Sequence, residues 1–169
     1  MPVFVALLRA VNVGGSGKLP MKELKAMCEQ CGFESVETYI ASGNVVFRSS
    51  DSPDRARSVL ERRPGDYAGR KVDVLIRTAR EMADLVEADP YADQLGNRVA
   101  VLFLDREPPP DLYPHVKGLT NESLRPAARE VFAHFPDGQG PSKLEFDLGT
   151  ATMRNMNTVK KLAGMAAGI

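Results

Sequence analysis

The chain has 169 residues, 43% of them hydrophobic and 26% charged, which are the proportions of an ordinary globular protein. Its 22 basic and 22 acidic side chains cancel, leaving no global field to favour nucleic acid or an anionic membrane. No apolar stretch approaches the roughly 20 residues that span a bilayer, and Met1-Pro2 runs straight into an apolar segment without a signal-peptide pattern, so a cytoplasmic protein is expected.

Val3 to Val13 is almost continuously apolar and reads as a central strand covered on both faces. It ends in the glycine-rich turn Gly14-Gly15-Ser16-Gly17-Lys18, which feeds a helix opened by Pro20. Met21, Leu24, Met27, Cys28 and Cys31 recur at helical spacing, and Gly32 is a natural stop. Val36 to Ala41 and Asn44 to Arg48 are β-rich runs with Ser42-Gly43 between them, which predicts a hairpin. Ser52-Pro53 starts a second helix with Ala56, Val59 and Leu60 inward, expected to break at Pro64-Gly65. Val72 to Ile76 is the next strand. The order is βαββαβ, the ferredoxin-like split motif, with the Val3–Val13 strand in the middle of an antiparallel sheet.

The expected organisation is one family domain over residues 1–169. Its ferredoxin-like half spans 1–79, and a second, smaller α/β half spans 80–169, making the fold class α+β. In the second half Arg80 to Ala88 is helical by period and Val99 to Leu104 is a buried strand. Pro108-Pro109-Pro110 forces an extended linker, and Val131 to Phe135 is a short strand. Thr150 to Met153 is another, before a helix over Thr158 to Ala167 with Val159, Leu162, Ala163 and Ala166 inward.

Cys28 and Cys31 form a C-x-x-C that closes a helix, where the dipole opposes a thiolate. No second cysteine pair completes a zinc site, and His115 and His134 are remote in sequence, so two reduced, metal-free cysteines are expected.

Three segments carry the polar chemistry. In the first, Arg9 and Asn12 interrupt the apolar run, and Gly14, Gly15 and Lys18 follow; such a turn exposes backbone N–H groups that hold an anion. It is not a P-loop, which would need glycine at Asn12 and a hydroxyl at Leu19. The second is the hairpin tip, where turn geometry alone also selects Ser42 and Asn44. The third holds Arg154, Asn155, Asn157 and Thr158. There Asn157 or Thr158 is expected to cap the last helix, with Lys160 and Lys161 in its first turn. Arginine, asparagine, lysine and hydroxyls together suit phosphate or carboxylate recognition. The three segments are expected to meet at one surface.

At these segments, LLRAVNVGGSGKLPMKEL, TYIASGNVVF and ATMRNMNTVKKL, the chain resembles the bacterial family called domain of unknown function 1697. The resemblance implies an α+β fold with ferredoxin-like parts and no established activity. By resemblance Arg9, Asn12, Gly14, Gly15, Lys18, Ser42, Gly43, Asn44, Arg154, Asn155, Asn157 and Thr158 fall on family-typical positions. Ala10 stands where glycine is typical, Met156 where tryptophan is, and the stretch between Ser142-Lys143-Leu144 and Gly149 is shorter than usual.

The expected function is binding of a small phosphorylated or carboxylated ligand. The alternatives are a hydrolase or group transferase acting on a phosphorylated small molecule and, ranked last, a single-stranded nucleic-acid binder. No cofactor is specified by these residues.

Overall fold

The apolar N-terminal run forms strand β1, Val3–Leu8, in the computed structural model, which describes residues 1–9, 19–69 and 71–169. Continuing the chain, α1 spans Met21–Gln30, β2 Glu34–Tyr39, β3 Asn44–Arg48, α2 Pro53–Ala68 and β4 Val74–Thr78. The strands lie in the order β2-β3-β1-β4, and each adjacent pair is antiparallel. β1 is therefore central, and the order is consistent with a ferredoxin-like start. These elements belong to the first of two compact units, residues 1–84 with 161–169.

The continuity of apolar residues in β1 has a direct cause. Phe4, Ala6 and Leu8 join the core against Leu24, Met27 and Cys28 of α1 and Ala56 and Leu60 of α2. Phe33 stacks on Phe47 in the same core, with ring centroids 4.3 Å apart. The alternate residues Val5 and Leu7 are buried on the other face, along with Val46, Leu75 and Arg77. Both faces are covered, so no polar alternation appears.

Helix α2 departs from expectation by running through Pro64. Ser52 caps it by accepting from the Arg55 amide at 3.2 Å, and Pro53 follows. Pro64 removes the hydrogen bond its amide would have made to the Leu60 carbonyl, yet its fixed φ remains helical. The ring is buried, so packing offsets the lost bond and the stop falls at Gly69.

Helix α3, Ala79–Glu87, lies where the period places it. A reciprocal capping box opens it: the Thr78 amide donates to Glu81 Oε1 at 2.9 Å and the Glu81 amide to Thr78 Oγ1 at 3.1 Å.

The second unit, residues 85–160, holds β5 Val99–Leu104, β6 Val116–Lys117, β7 Ser123–Pro126, β8 Glu130–His134, β9 Glu145–Phe146 and β10 Ala151–Asn155. Its main sheet has the order β10-β5-β8-β7, with β6 and β9 paired as a separate ribbon. All of β5 is buried, and Leu102 and Leu104 pack with Leu112, Val131 and Leu148. The strand expected at Thr150 to Met153 shifts to Ala151–Asn155. Helix α4, Met156–Ala167, starts two residues before the expected Thr158. The fold is α+β, and no described helix is long and apolar enough to cross a membrane.

Candidate functional site

The first unit gathers its loops at the C-terminal end of β1. Leu7 pairs with Asn44 and Leu8 with Val74, so the β2–β3 loop and the lead into β4 both lie at that end. The amide of Leu8 donates to the Gly43 carbonyl at 2.8 Å, and the amide of Arg9 to the Asp73 carbonyl at 2.8 Å. Leu8, the last residue of β1, and Arg9 just after it thus fasten the hairpin tip on one side and the lead into β4 on the other.

Charge at this rim is uneven. The Arg9 guanidinium, about half exposed, lies 3.4 Å from Asp73 Oδ2. Lys71 Nζ lies 3.4 Å from Asp73 Oδ1. Two cations share one carboxylate, and the trio carries a net positive charge. Such exposed pairs are weak, so a ligand oxyanion can displace either contact at small cost. Beside the hairpin, Lys161 Nζ sits 5.9 Å from the centroid of the Tyr39 ring, at the outer reach of a cation–π contact. Helix α1 opens nearby in sequence with Pro20 at its N-cap, which supplies no side-chain hydrogen bond. Asn12, Gly14, Gly15 and Lys18 lie outside the described residues.

Within the hairpin, Asn44 is fully buried. Its Nδ2 donates to the Tyr39 carbonyl and to Ser42 Oγ, each at 2.9 Å. Turn chemistry therefore accounts for Asn44, while Ser42 remains partly exposed at the tip.

The third segment belongs to the second unit up to Lys160. Arg154 is buried; its Nη1 donates to Thr152 Oγ1 at 2.6 Å and to the Met153 carbonyl at 3.0 Å. Burial pushes its pKa down to about 10. These contacts tie the guanidinium to its own strand.

The helix cap differs from expectation. Asn155 Oδ1 accepts from the Thr158 amide at 2.9 Å, so the cap is Asn155 rather than Asn157 or Thr158. Lys160 and Lys161 consequently fall beyond the first turn, and the dipole argument does not apply to them. Asn157 instead packs over Gly96: a Cβ there would lie 2.0 Å from Asn157 Oδ1. Thr158 is buried. Met156 is buried as well, so this side chain fills the interior instead of offering an open stacking face.

The cysteines are free, with Cys28 buried and Cys31 half-buried. Among the described residues no group of three histidine, cysteine or carboxylate side chains can hold a metal ion. His115 lines a cavity of about 160 Å³ on the β6–β9 ribbon with Lys117, Glu145 and Asp147, a set that sequence reasoning did not bring together. Lys71 and Asp73 were not anticipated either, because only the pairing of β4 with β1 carries them to Arg9.

Fold and rim together define an α+β protein whose first unit presents a cationic edge at the C-terminal end of its central strand. The model of the family described as "Protein of unknown function (DUF1697)" matches residues 1–132, and the chain belongs to that family. The third segment lies beyond the matched residues. The chain is also similar in fold to the solved structure of the conserved bacterial protein SP0830 from Streptococcus pneumoniae, with a TM-score of 0.77, 24% identity and 98% of each chain covered. No curated protein matches it.

Proposed function

We propose that the protein binds a small anionic ligand, phosphorylated or carboxylated, at the C-terminal end of β1. The observation that carries this reading is the convergence of Arg9 and Lys71 on the single carboxylate of Asp73. An arginine already held near its working position by a weak, exposed partner presents a planar donor fork to an oxyanion. Lys161 beside Tyr39 adds a third cation to the same unit. Asn12, Gly14, Gly15 and Lys18 follow Arg9 directly in sequence and would supply the backbone amides and the lysine of the same site. Ser42 is the hairpin's contribution, with Asn44 bracing the turn that presents it. Arg154, Asn155, Asn157 and Thr158 are proposed to serve the same ligand class in the second unit, where Arg154 and Asn155 already have internal partners. The free thiols suit a reducing cytoplasm, and we place the protein in a bacterial one.

Thermal-shift screening against nucleotides, sugar phosphates and carboxylates tests the proposal. Concentration-dependent stabilisation by at least one member is expected. A flat response across all three classes contradicts it.

A further inference from the structure

The β6–β9 ribbon places four ionisable side chains around one cavity. Val116 pairs with Phe146 and Lys117 with Glu145, and the Asp147 amide donates to the His115 carbonyl at 2.8 Å. Antiparallel alternation then sorts the six residues. Val116 and Phe146 turn toward the core with Leu104, Leu112 and Leu148. His115, Lys117, Glu145 and Asp147 share the opposite face. One strand is a rail of nitrogen donors and the other a rail of carboxylates, separated by about 4.5–5.5 Å between paired positions.

These groups do not satisfy one another. Among the described residues no ion pair or hydrogen bond links any two of these four side chains. Lys117, Glu145 and Asp147 are exposed and His115 half-buried, and with Pro114 and Phe146 they line an open cavity of about 160 Å³, room for several non-hydrogen atoms at about 30 Å³ per water-sized group. The ribbon is also closely fastened. Gly118 directly follows β6 with φ +73°, and a Cβ there would lie 2.1 Å from the Lys143 carbonyl oxygen, so that approach is open to glycine alone.

We propose that this face binds a small zwitterion of amino-acid type, its carboxylate held by Lys117 and His115 and its ammonium by Glu145 and Asp147. Donors and acceptors set one strand apart match a ligand that carries both charges a few bonds apart. A simple anion would leave two carboxylates facing it, and a simple cation would meet Lys117. All four residues belong to the second unit.

Amide NMR of the full chain, titrated with glycine and with β-alanine at low salt, tests it. One of the two should give saturable shifts centred on residues 115–117 and 145–147, with a Kd of about 1 mM or tighter. Lys117→Gln and Glu145→Gln should each weaken binding about tenfold or more, since each removes a charge-assisted hydrogen bond. Lys117→Arg should retain binding. Shifts that stay linear with both zwitterions overturn the proposal. So does acetate or methylammonium saturating the same amides as tightly, or Glu145→Gln binding like the parent chain.

Discussion

Leu8 and Gly43 are joined by a backbone hydrogen bond of 2.8 Å, which fixes the end of the central strand against the tip of the β2–β3 hairpin. Arg9 is the next residue after that bond, so the hairpin and the start of β4 set its backbone from two sides. The guanidinium is left to choose between Asp73 and solvent or a ligand.

The hairpin depends on Asn44. Asn44→Ala removes two hydrogen bonds and leaves the Tyr39 carbonyl without that donor in a part-buried turn. A destabilisation of about 1–3 kcal/mol is expected in urea unfolding. Ser42→Ala, which leaves the Asn44–Tyr39 hydrogen bond in place, should cost less than Asn44→Ala. Equal effects would show that the Tyr39 contact contributes nothing.

Asn155→Ala should lose about 0.5–2 kcal/mol through the α4 cap. Gly96→Ala should add only a small loss, because the atom its Cβ would meet, Asn157 Oδ1, ends an exposed side chain that can swing aside. In a double-mutant cycle, Asn157→Ala should relieve much of that loss. Additive effects of the two substitutions would contradict the packing of Asn157 over Gly96.

Much of the first unit is legible in sequence because its signals are local and agree. Helical spacing marks α1, turn residues separate β2 from β3, and Ser52-Pro53 opens α2. The Thr78–Glu81 capping box was equally present as Thr-x-x-Glu. Pro64 misleads because proline is read as a breaker, whereas burial within α2 sustains the helix. The strands β6 and β9 have two residues each, too short to show a period, and β7 is mostly exposed. The candidate rim is only partly legible. Arg9 announces itself as a charge in an apolar run, but Asp73 and Lys71 reach it through strand pairing between positions more than sixty residues apart. Arg154 looks the same in sequence whether it faces a ligand or its own strand.

The two thiols should differ sharply in reactivity. Burial, with help from Cys31 and Glu29, pushes the Cys28 thiol up to about 12. Cys31 is half-buried and should react first with a thiol reagent at neutral pH. Two thiols should titrate only after denaturation, without reductant. Both reacting rapidly in the native protein would contradict the packing of Cys28 against the sheet.

Glu122 makes one contribution to acid sensitivity. The Thr120 amide and hydroxyl donate to Oε1 and the Ser142 hydroxyl to Oε2, at 2.8–2.9 Å. These donors, the Thr120 amide first, pull its pKa down to about 2. A carboxylate depressed on folding stabilises the native state above its unfolded pKa, and that stability is lost as pH falls through the folded value. Stability should therefore decline between the ordinary carboxylate range and about pH 2, and Glu122→Gln should flatten that part of the profile. An unchanged profile in Glu122→Gln would assign the decline to other carboxylates.

The anion site is tested most directly by titrating the parent chain and Arg9→Ala with inorganic phosphate and with a nucleoside monophosphate, following melting temperature. The exposed Arg9–Asp73 pair contributes little to folding, so Arg9→Ala should move the ligand-free melting temperature by no more than about 3 °C. The parent chain should be stabilised progressively by at least one probe, reaching about 2.7 kcal/mol at a hundred times its Kd, and Arg9→Ala should lose most of that gain. Equal stabilisation of the two chains, or none in the parent, would contradict binding at the end of β1.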